Sequence, residues 1–453
     1  MAAAGERASL KVLHVVYSYP PDPPGGTEIV VANLAKIEAA AGVEVCVAAP
    51  AGRTESYRHE GVLVHRFAMS ADLDLPALYG EGDEVAAENF AAILSRLRPD
   101  IVNFHAWTPA VSLRTVREAQ RQGSATVFCY HTPAASCARG TLLLHGKKPC
   151  DGVLDQRRCT TCFLESRGMP SWAAQLTSNL PAALGLAANG IVPRRVSTVL
   201  RAGESIGRLH TKFRELLRTV DRVVAPCYWV RDLLQANGLA ASKITVCRQG
   251  AGQPDPAPAV LSREPSTNTR IAYFGRAHAA KGIGTLIEAL SLTAPSGPGL
   301  DVFAVAQSAG ERQAIASWKA SYAANRRIRF LDAVGPEAVL GVLAAYDYLA
   351  VPSETLETGP LVVHEAIAAR VPVLGSNLGG IAELIHHDVN GLMVEPGNVK
   401  AWVSALNRVS GDRSLRDRLA SQLPRPRTFQ DMAGEFRSLY EHLCAARIPG
   451  ARA

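Results

Sequence analysis

Pro352-Ser353-Glu354-Thr355-Leu356-Glu357-Thr358-Gly359-Pro360-Leu361-Val362-Val363-His364-Glu365-Ala366 follows an apolar run ending in Leu349-Ala350-Val351 and opens a helical pattern through Val362, Ile367 and Ala368. A strand passing into a helix through Gly359-Pro360 predicts a helix start whose first amides lack partners and point at one spot, a natural anion site. Glu357 and Glu365, eight positions apart, bracket that spot. Carboxylates are poor ligands for phosphate itself, but they accept hydrogen bonds well from the hydroxyls of a phosphorylated sugar.

The same grammar extends in both directions. Upstream, Arg270-Ile271-Ala272-Tyr273-Phe274 reads as a strand, followed by Gly275-Arg276, Lys281-Gly282 and a helix from about Ile283 to Leu290. Further strands are expected at Leu300 to Val305, Arg327 to Leu331, Tyr348 to Val351, Val371 to Gly375 and Gly391 to Val394. Strands alternating with helical patterns are the signature of a parallel sheet. The N-terminal half repeats it: a strand at Lys11 to Tyr17, the turn-rich Tyr19-Pro20-Pro21-Asp22-Pro23-Pro24-Gly25-Gly26, a helix from Thr27 to Ala41 and a strand from Glu44 to Ala49. More strands follow at Val62 to Val64, Ile101 to Phe104, Ala125 to Tyr130 and Arg222 to Ala225. A Pro-, Ser- and Gly-rich linker, Gly250 to Asn268, separates the halves, and Thr428 to Leu443 reads as a terminal amphipathic helix. Two domains are therefore expected: 1–262 with a crossover from 428–453, and 263–427. Ligands of open α/β sheets bind outside the carboxyl ends of the strands, so a cleft between two such domains is the expected site.

At 453 residues, with 47% hydrophobic and 20% charged residues, the chain suits two ordinary globular cores. Met1 to Leu10 lacks the apolar core of a secretory signal, and no stretch supplies the roughly 18 to 20 apolar residues of a membrane span. Leu180 to Val192 comes nearest and is broken by Pro181, Asn189 and Gly190. A cytoplasmic protein is expected, with a peripheral contact at the inner face of the membrane as a further expectation. The net charge of +7 is concentrated: Ala138 to Arg222 holds fourteen Lys/Arg against six Asp/Glu, an excess of +8. Such a region attracts phosphates, anionic lipids or polyanions. No nucleic-acid motif accompanies it.

The Glu357-x7-Glu365 arrangement resembles that of the retaining glycosyltransferases of family 4, which have the GT-B fold: two Rossmann-like, doubly wound parallel-sheet domains facing across a cleft. The resemblance implies that Glu357 lies near the transferred sugar, that Glu365 holds the ribose, and that the backbone of Gly359, Pro360, Leu361 and Val362 contacts sugar and diphosphate. It places Gly25 and Gly26 over the donor phosphates and His131, in Tyr130-His131-Thr132-Pro133, against the donor sugar. Arg276 and Lys281 follow a strand with family-like spacing. They suit the growing negative charge of the leaving diphosphate, a fork and a point charge in place of a metal ion. His105 matches the second residue of a family His-x-His pattern whose first is Asn103 here, and is expected to be structural. The run Gly375 to Glu383 is another family feature, whereas Asp332 stands where the family usually has glycine near the nucleobase. The resemblance is strong over Ile271 to Pro396 and weak between Ala138 and Thr219.

That weak region contains Cys137, Cys150, Cys159 and Cys162, four of the nine cysteines. Cys159-x2-Cys162 is the usual chelating element of a structural zinc site, and two further thiolates complete a tetrahedron. An iron–sulfur cluster would use the same four thiolates, and four packing cysteines without metal is the third alternative. The expectation is one structural zinc folding a basic insertion at 137–220, with no cofactor for catalysis.

The expected activity is metal-independent transfer of a hexose from a nucleotide-diphosphate sugar to a glycan or lipid-linked acceptor, with retention, in cell-surface polysaccharide or glycolipid synthesis. Two rivals stand beside it: a catalytically silent nucleotide-sugar-binding scaffold, and a nucleotide-sugar epimerase or hydrolase of the same fold.

Overall fold

The computed structural model describes residues 9–23, 25–73, 77–180, 196, 199–252 and 268–447. Most of the linker after Gly252, and most of the apolar stretch after Leu180, lie outside the described residues. The chain divides into two compact units, one of Met1–Cys247 with Ala433–Ala453 and one of Arg248–Met432. The divisions thus fall at Cys247 and Met432, compared with the 262 and 428 expected.

In the second unit, strands pair in the order Ile328–Phe330, Gly299–Val305, Arg270–Arg276, Tyr348–Val351, Val373–Ser376 and Gly391–Val394, all parallel. The strands read as unbroken apolar runs because both faces of the sheet are covered. Ile271, Tyr273, Tyr348 and Ala350 join a cluster with Leu286, Trp402 and Leu406 on one face. Ala272, Leu349 and Val351 alternate to the other face and pack with Val363, Ile367 and Ile381. The chain winds outward from Arg270–Arg276 in one direction, then returns to its other side at Tyr348–Val351. That reversal places a crevice at the carboxyl ends of these two strands.

The first unit's sheet runs Ile244–Val246, Arg222–Ala225, Ala125–Cys129, Ile101–Phe104, Lys11–Val15, Glu44–Ala51, Val62–Ala68 and Glu55–His59. Only the last strand is antiparallel, pairing Glu55 with Arg66 and His59 with Val62. Sequence reading misses this strand because Glu-Ser-Tyr-Arg-His is polar, as an edge strand with a solvated face can be. Here the reversal falls between Lys11–Val15 and Ile101–Phe104. The terminal helix, Phe429–Ala445, buries Phe429, Met432, Phe436, Leu439, Tyr440 and Leu443, at helical spacing. Tyr440 accepts a hydrogen bond from Asn103 Nδ2 at 2.7 Å, which gives a structural use to the residue found where the family pattern has its first His.

The cysteine segment belongs to the first unit. A hairpin of Leu143–Leu144 and Lys148–Pro149 leads to Cys150, and the helix Gln156–Ser166, capped by Asp155, carries Cys159 and Cys162. Its loop lies tightly on the helix Tyr228–Ala236: a Cβ on Gly152, whose φ is +73°, would sit 2.4 Å from Leu233 Cδ1. Among the described residues, no helix is long and apolar enough to cross a membrane.

Candidate functional site

Arg276 ends its strand, a short turn follows, and Lys281 precedes Gly282. Gly282 has φ +68°, and a Cβ there would lie 1.8 Å from the Pro352 carbonyl oxygen. Glycine is therefore needed both for the left-handed backbone and for the close approach. A hydrogen bond from Glu354 N to Ala280 O at 2.9 Å ties the two loops together. The result is that Lys281 Nζ reaches Glu357 Oε1 at 2.6 Å, and Ser353 Oγ donates to the same oxygen at 2.7 Å. Burial alone would raise the Glu357 carboxyl, but the Lys281 charge and these two hydrogen bonds outweigh it and hold it below the usual range. Arg276 is likewise matched, by Glu311 Oε1 at 2.6 Å. Glu311 is 5% exposed and also accepts from Gln307 N. Sequence reading misses both Glu311 and Ser353. Ser353 lies within the quoted motif, whereas Glu311 is 35 residues from Arg276 and carries no motif.

The helix Leu361–Ala368 starts at Pro360 with no side-chain cap. Among the described residues, the amides of Gly359, Leu361 and Val362 have no protein acceptor, as the first turn of an uncapped helix dictates. The neighbouring loop closes against this start. Gly380 N donates to Glu357 O at 2.8 Å, and a Cβ on Gly379 or Gly380 would lie 2.9 Å from the Glu357 backbone. A Cβ on Gly359 would meet the end of the Gln249 side chain, with Cδ at 2.7 Å, a neighbour that can shift more readily than backbone. Glu365, one turn into the helix, is half-buried, its carboxyl forms no hydrogen bond or ion pair among the described residues, and burial pushes that carboxyl up to about 7. His364 beside it is held down to about 4 by burial and by the Arg427 and Arg248 charges, and so stays neutral. Arg276, Lys281, Glu357, Gly359 to Val362 and Glu365 thus gather at the reversal point of the second sheet.

In the first unit, Gly25 caps the helix Gly26–Ala40, and its amide donates to Glu28 Oε2 at 2.9 Å. The amide of one of the two glycines expected over the donor phosphates is therefore already engaged by a side chain of its own helix. Burial raises the Glu28 carboxyl despite the backbone hydrogen bonds it receives. His131 lies beyond the strand Ala125–Cys129, and its Nε2 is 2.9 Å from His105 Nδ1.

Cys137, Cys150, Cys159 and Cys162 line one small cavity with Leu142, Leu143 and Leu154. Burial raises the Cys150 thiol and takes Cys159 to about 11, each further raised by neighbouring thiols. Cys162 Sγ accepts from His145 N at 3.2 Å. Among the described residues, three metal-capable ligand atoms fall within 4.8 Å of one another only at His105, Cys129 and His131, so the four thiols share a cavity without forming a tight set. Much of the basic excess of this region is matched locally: Arg158 grips Asp151 with both terminal nitrogens, Arg208 meets Glu204 and Glu81, and Lys212 meets Glu81 and Glu215.

Two family models match in tandem, a glycosyl transferase 4-like domain over residues 25–250 and glycosyl transferases group 1 over residues 261–424. The chain is 29% identical over 220 residues to the D-inositol 3-phosphate glycosyltransferase of Nocardia farcinica, covering 46% of this chain and 48% of that protein. It is 27% identical over 226 residues to the enzyme of the same name from Rhodococcus opacus, covering 47% and 50%. The chain thus spans about half the length of the curated relatives it matches. Among solved structures it resembles Anabaena HepE in complex with UDP and glucose, with a TM-score of 0.63, 17% identity and coverage of 96% of this chain and 100% of that one. It also resembles sucrose-phosphate synthase from Thermosynechococcus elongatus, with a TM-score of 0.66, 18% identity and the same coverage. With this fold, and with both family models matched in order along the chain, the protein belongs to glycosyltransferase family 4 and has the GT-B fold.

Proposed function

We propose that this chain is a retaining, metal-independent glycosyltransferase that moves a hexose from a nucleotide-diphosphate sugar to a glycan or lipid-linked acceptor, in cell-surface polysaccharide or glycolipid synthesis. The observation that carries the proposal is the Lys281–Glu357 pair beside the open amides of Gly359, Leu361 and Val362. Cations and amides at one point stabilise a leaving diphosphate, and the acid between them suits sugar hydroxyls. Arg276 and Lys281 would exchange their carboxylate partners for phosphate oxygens as the donor binds. Glu365, without a partner in the described chain, would receive the ribose hydroxyls. His131 is assigned to the transferred sugar on the family resemblance. Two names among the structural neighbours, HepE bound to UDP and glucose and a sucrose-phosphate synthase, support a nucleotide-sugar donor for this chain.

The same proposal includes a metal-stapled module on the acceptor side. The four soft thiols of Cys137, Cys150, Cys159 and Cys162 line one cavity without yet forming a tight set, and zinc would have to draw them together as thiolates, contributing folding free energy. A peripheral membrane contact is supported by the helix Ser171–Ser178, where Trp172 and Leu176, one turn apart, are 69% and 65% exposed.

The decisive test is a screen of nucleotide sugars by thermal stabilisation, followed by NMR of the first-formed product in a chelator too weak to strip a thiolate site. Retention at full rate is expected. Inversion, or strict dependence on magnesium, would overturn the mechanism.

A further inference from the structure

The first unit contains a line of four titratable side chains of which the proposed reaction uses only His131; the other three are buried. Glu38 lies on the helix Gly26–Ala40 and His14 on the strand Lys11–Val15. His105 follows the strand Ile101–Phe104, and His131 follows Ala125–Cys129. Consecutive contacts join them. Glu38 Oε2 lies 2.8 Å from His14 Nε2, His14 Nδ1 lies 3.0 Å from His105 Nε2, and His105 Nδ1 lies 2.9 Å from His131 Nε2. Glu38, His14 and His105 are 3%, 0% and 2% exposed.

Counting protons along this line ties the direction of every bond to the charge state at the Glu38 end. A neutral imidazole carries one N–H and one lone pair, and each contact needs one hydrogen. An ionised carboxylate only accepts, so His14 donates to Glu38 from Nε2. With a neutral His14, its Nδ1 then accepts from His105 Nε2–H and His105 Nδ1 from His131 Nε2–H, whereas a charged His14 would donate from both nitrogens and reverse the two outer rings. His131 is left with Nδ1 as its acceptor atom. A protonated Glu38 would reverse all three rings and turn His131 Nδ1 into a donor. Burial, helped by the neighbouring His131 and His14, holds His105 well below its ordinary range, and burial lowers His131 to about 4, so both rings stay neutral.

The same place offers a rival use, because the ligand atoms of His105, Cys129 and His131 lie within 4.8 Å of one another. A cation there would need the two ring nitrogens that already share a hydrogen. The Cys129 thiol, moreover, donates to Asn103 Oδ1 at 3.2 Å and is held neutral by burial. The two uses exclude each other, and the described contacts favour the hydrogen-bonded line.

We propose that Glu38, as a carboxylate paired with a neutral His14, sets the tautomer of His131 through His105, keeping the ring of His131 in its Nε2–H form. Glu38, His14 and His105 are then positioning residues, with Glu38 fixing the direction of every bond in the line from the far end. The tautomer can be read without any substrate, and so independently of the assignment of His131 to the sugar.

The test uses the full chain labelled with 15N-histidine, with long-range proton–nitrogen spectra reporting the tautomer of each ring and His131→Gln identifying the His131 signals. Wild-type protein is expected to show His131 as the Nε2–H form alone. In Glu38→Gln or Glu38→Ala, an Nδ1–H population is expected at His131 in at least one variant. His131 as Nδ1–H in the wild type, or pure Nε2–H in both folded variants, would overturn the proposal. If neither variant folds, His14→Gln breaks the same line and is read in the same way. A chain with the expected tautomers and no glycosyl transfer would fail the functional proposal while leaving this one standing.

Discussion

Glu365 offers the sharpest test of the donor site, because its protonation and its proposed task conflict. Burial brings its carboxyl up to about 7, so the free protein holds it half protonated near neutrality. Ribose hydroxyls donating to it would stabilise the charged form, so its pKa falls when a donor binds. The sign follows: binding selects the ionised carboxylate, expels protons below about pH 7, and weakens as pH drops. If the bound value returns to the ordinary carboxylate range near 4.3, Kd should rise roughly tenfold between pH 8 and pH 6, about 1.4 kcal/mol. His364, held near 4, and Glu357, held below its usual range, do not titrate across that interval. Titration calorimetry in buffers of different ionisation heat measures both affinity and proton release. The ligand should be an intact nucleotide sugar, whose diphosphate diester does not itself titrate there. Glu365→Gln should bind more weakly with a flat profile, and His278→Gln, in the turn before Lys281, serves as a control for that imidazole. A flat wild-type profile, or a slope that survives in Glu365→Gln, would refute the assignment of Glu365 to the ribose.

Three further outcomes are expected. Arg276→Ala and Lys281→Ala should each lower turnover by about two orders of magnitude, roughly 3 kcal/mol of transition-state stabilisation, and wild-type turnover in the double variant would sink their role. Gly282→Ala combines a φ of +68° with a 1.8 Å approach to a carbonyl oxygen, and should destabilise the second unit by at least about 2 kcal/mol; an unchanged melting temperature in scanning calorimetry would contradict the loop geometry. Cys159→Ser should abolish bound zinc and impair acceptor use with donor affinity nearly intact, and protein purified without chelator that carries neither zinc nor iron in elemental analysis would remove the metal from the proposal.

Much of this protein is legible in the order of its residues. Alternating strands and helices specify parallel sheets because each strand must cover two faces, and the strands Arg222–Ala225, Tyr348–Val351 and Gly391–Val394 fall where the apolar runs place them. Gly359-Pro360 is readable as a helix start with open amides, and Glu357 with Glu365 as acids beside it, because strand, turn and helix are contiguous in sequence; the close approach of Gly379 and Gly380 to the Glu357 backbone is not. Tertiary structure decided who partners whom. Arg276 with Glu311, Lys281 with Glu357, and Asn103 with Tyr440 join residues 35, 76 and 337 positions apart, and no local pattern encodes such pairings. The line from Glu38 to His131 is the clearest case. Glu38 and His14 carry no motif of their own, and only the assembly of three neighbouring strands and one helix brings their polar atoms into line with His105 and His131, since such contacts are a property of the assembled sheet.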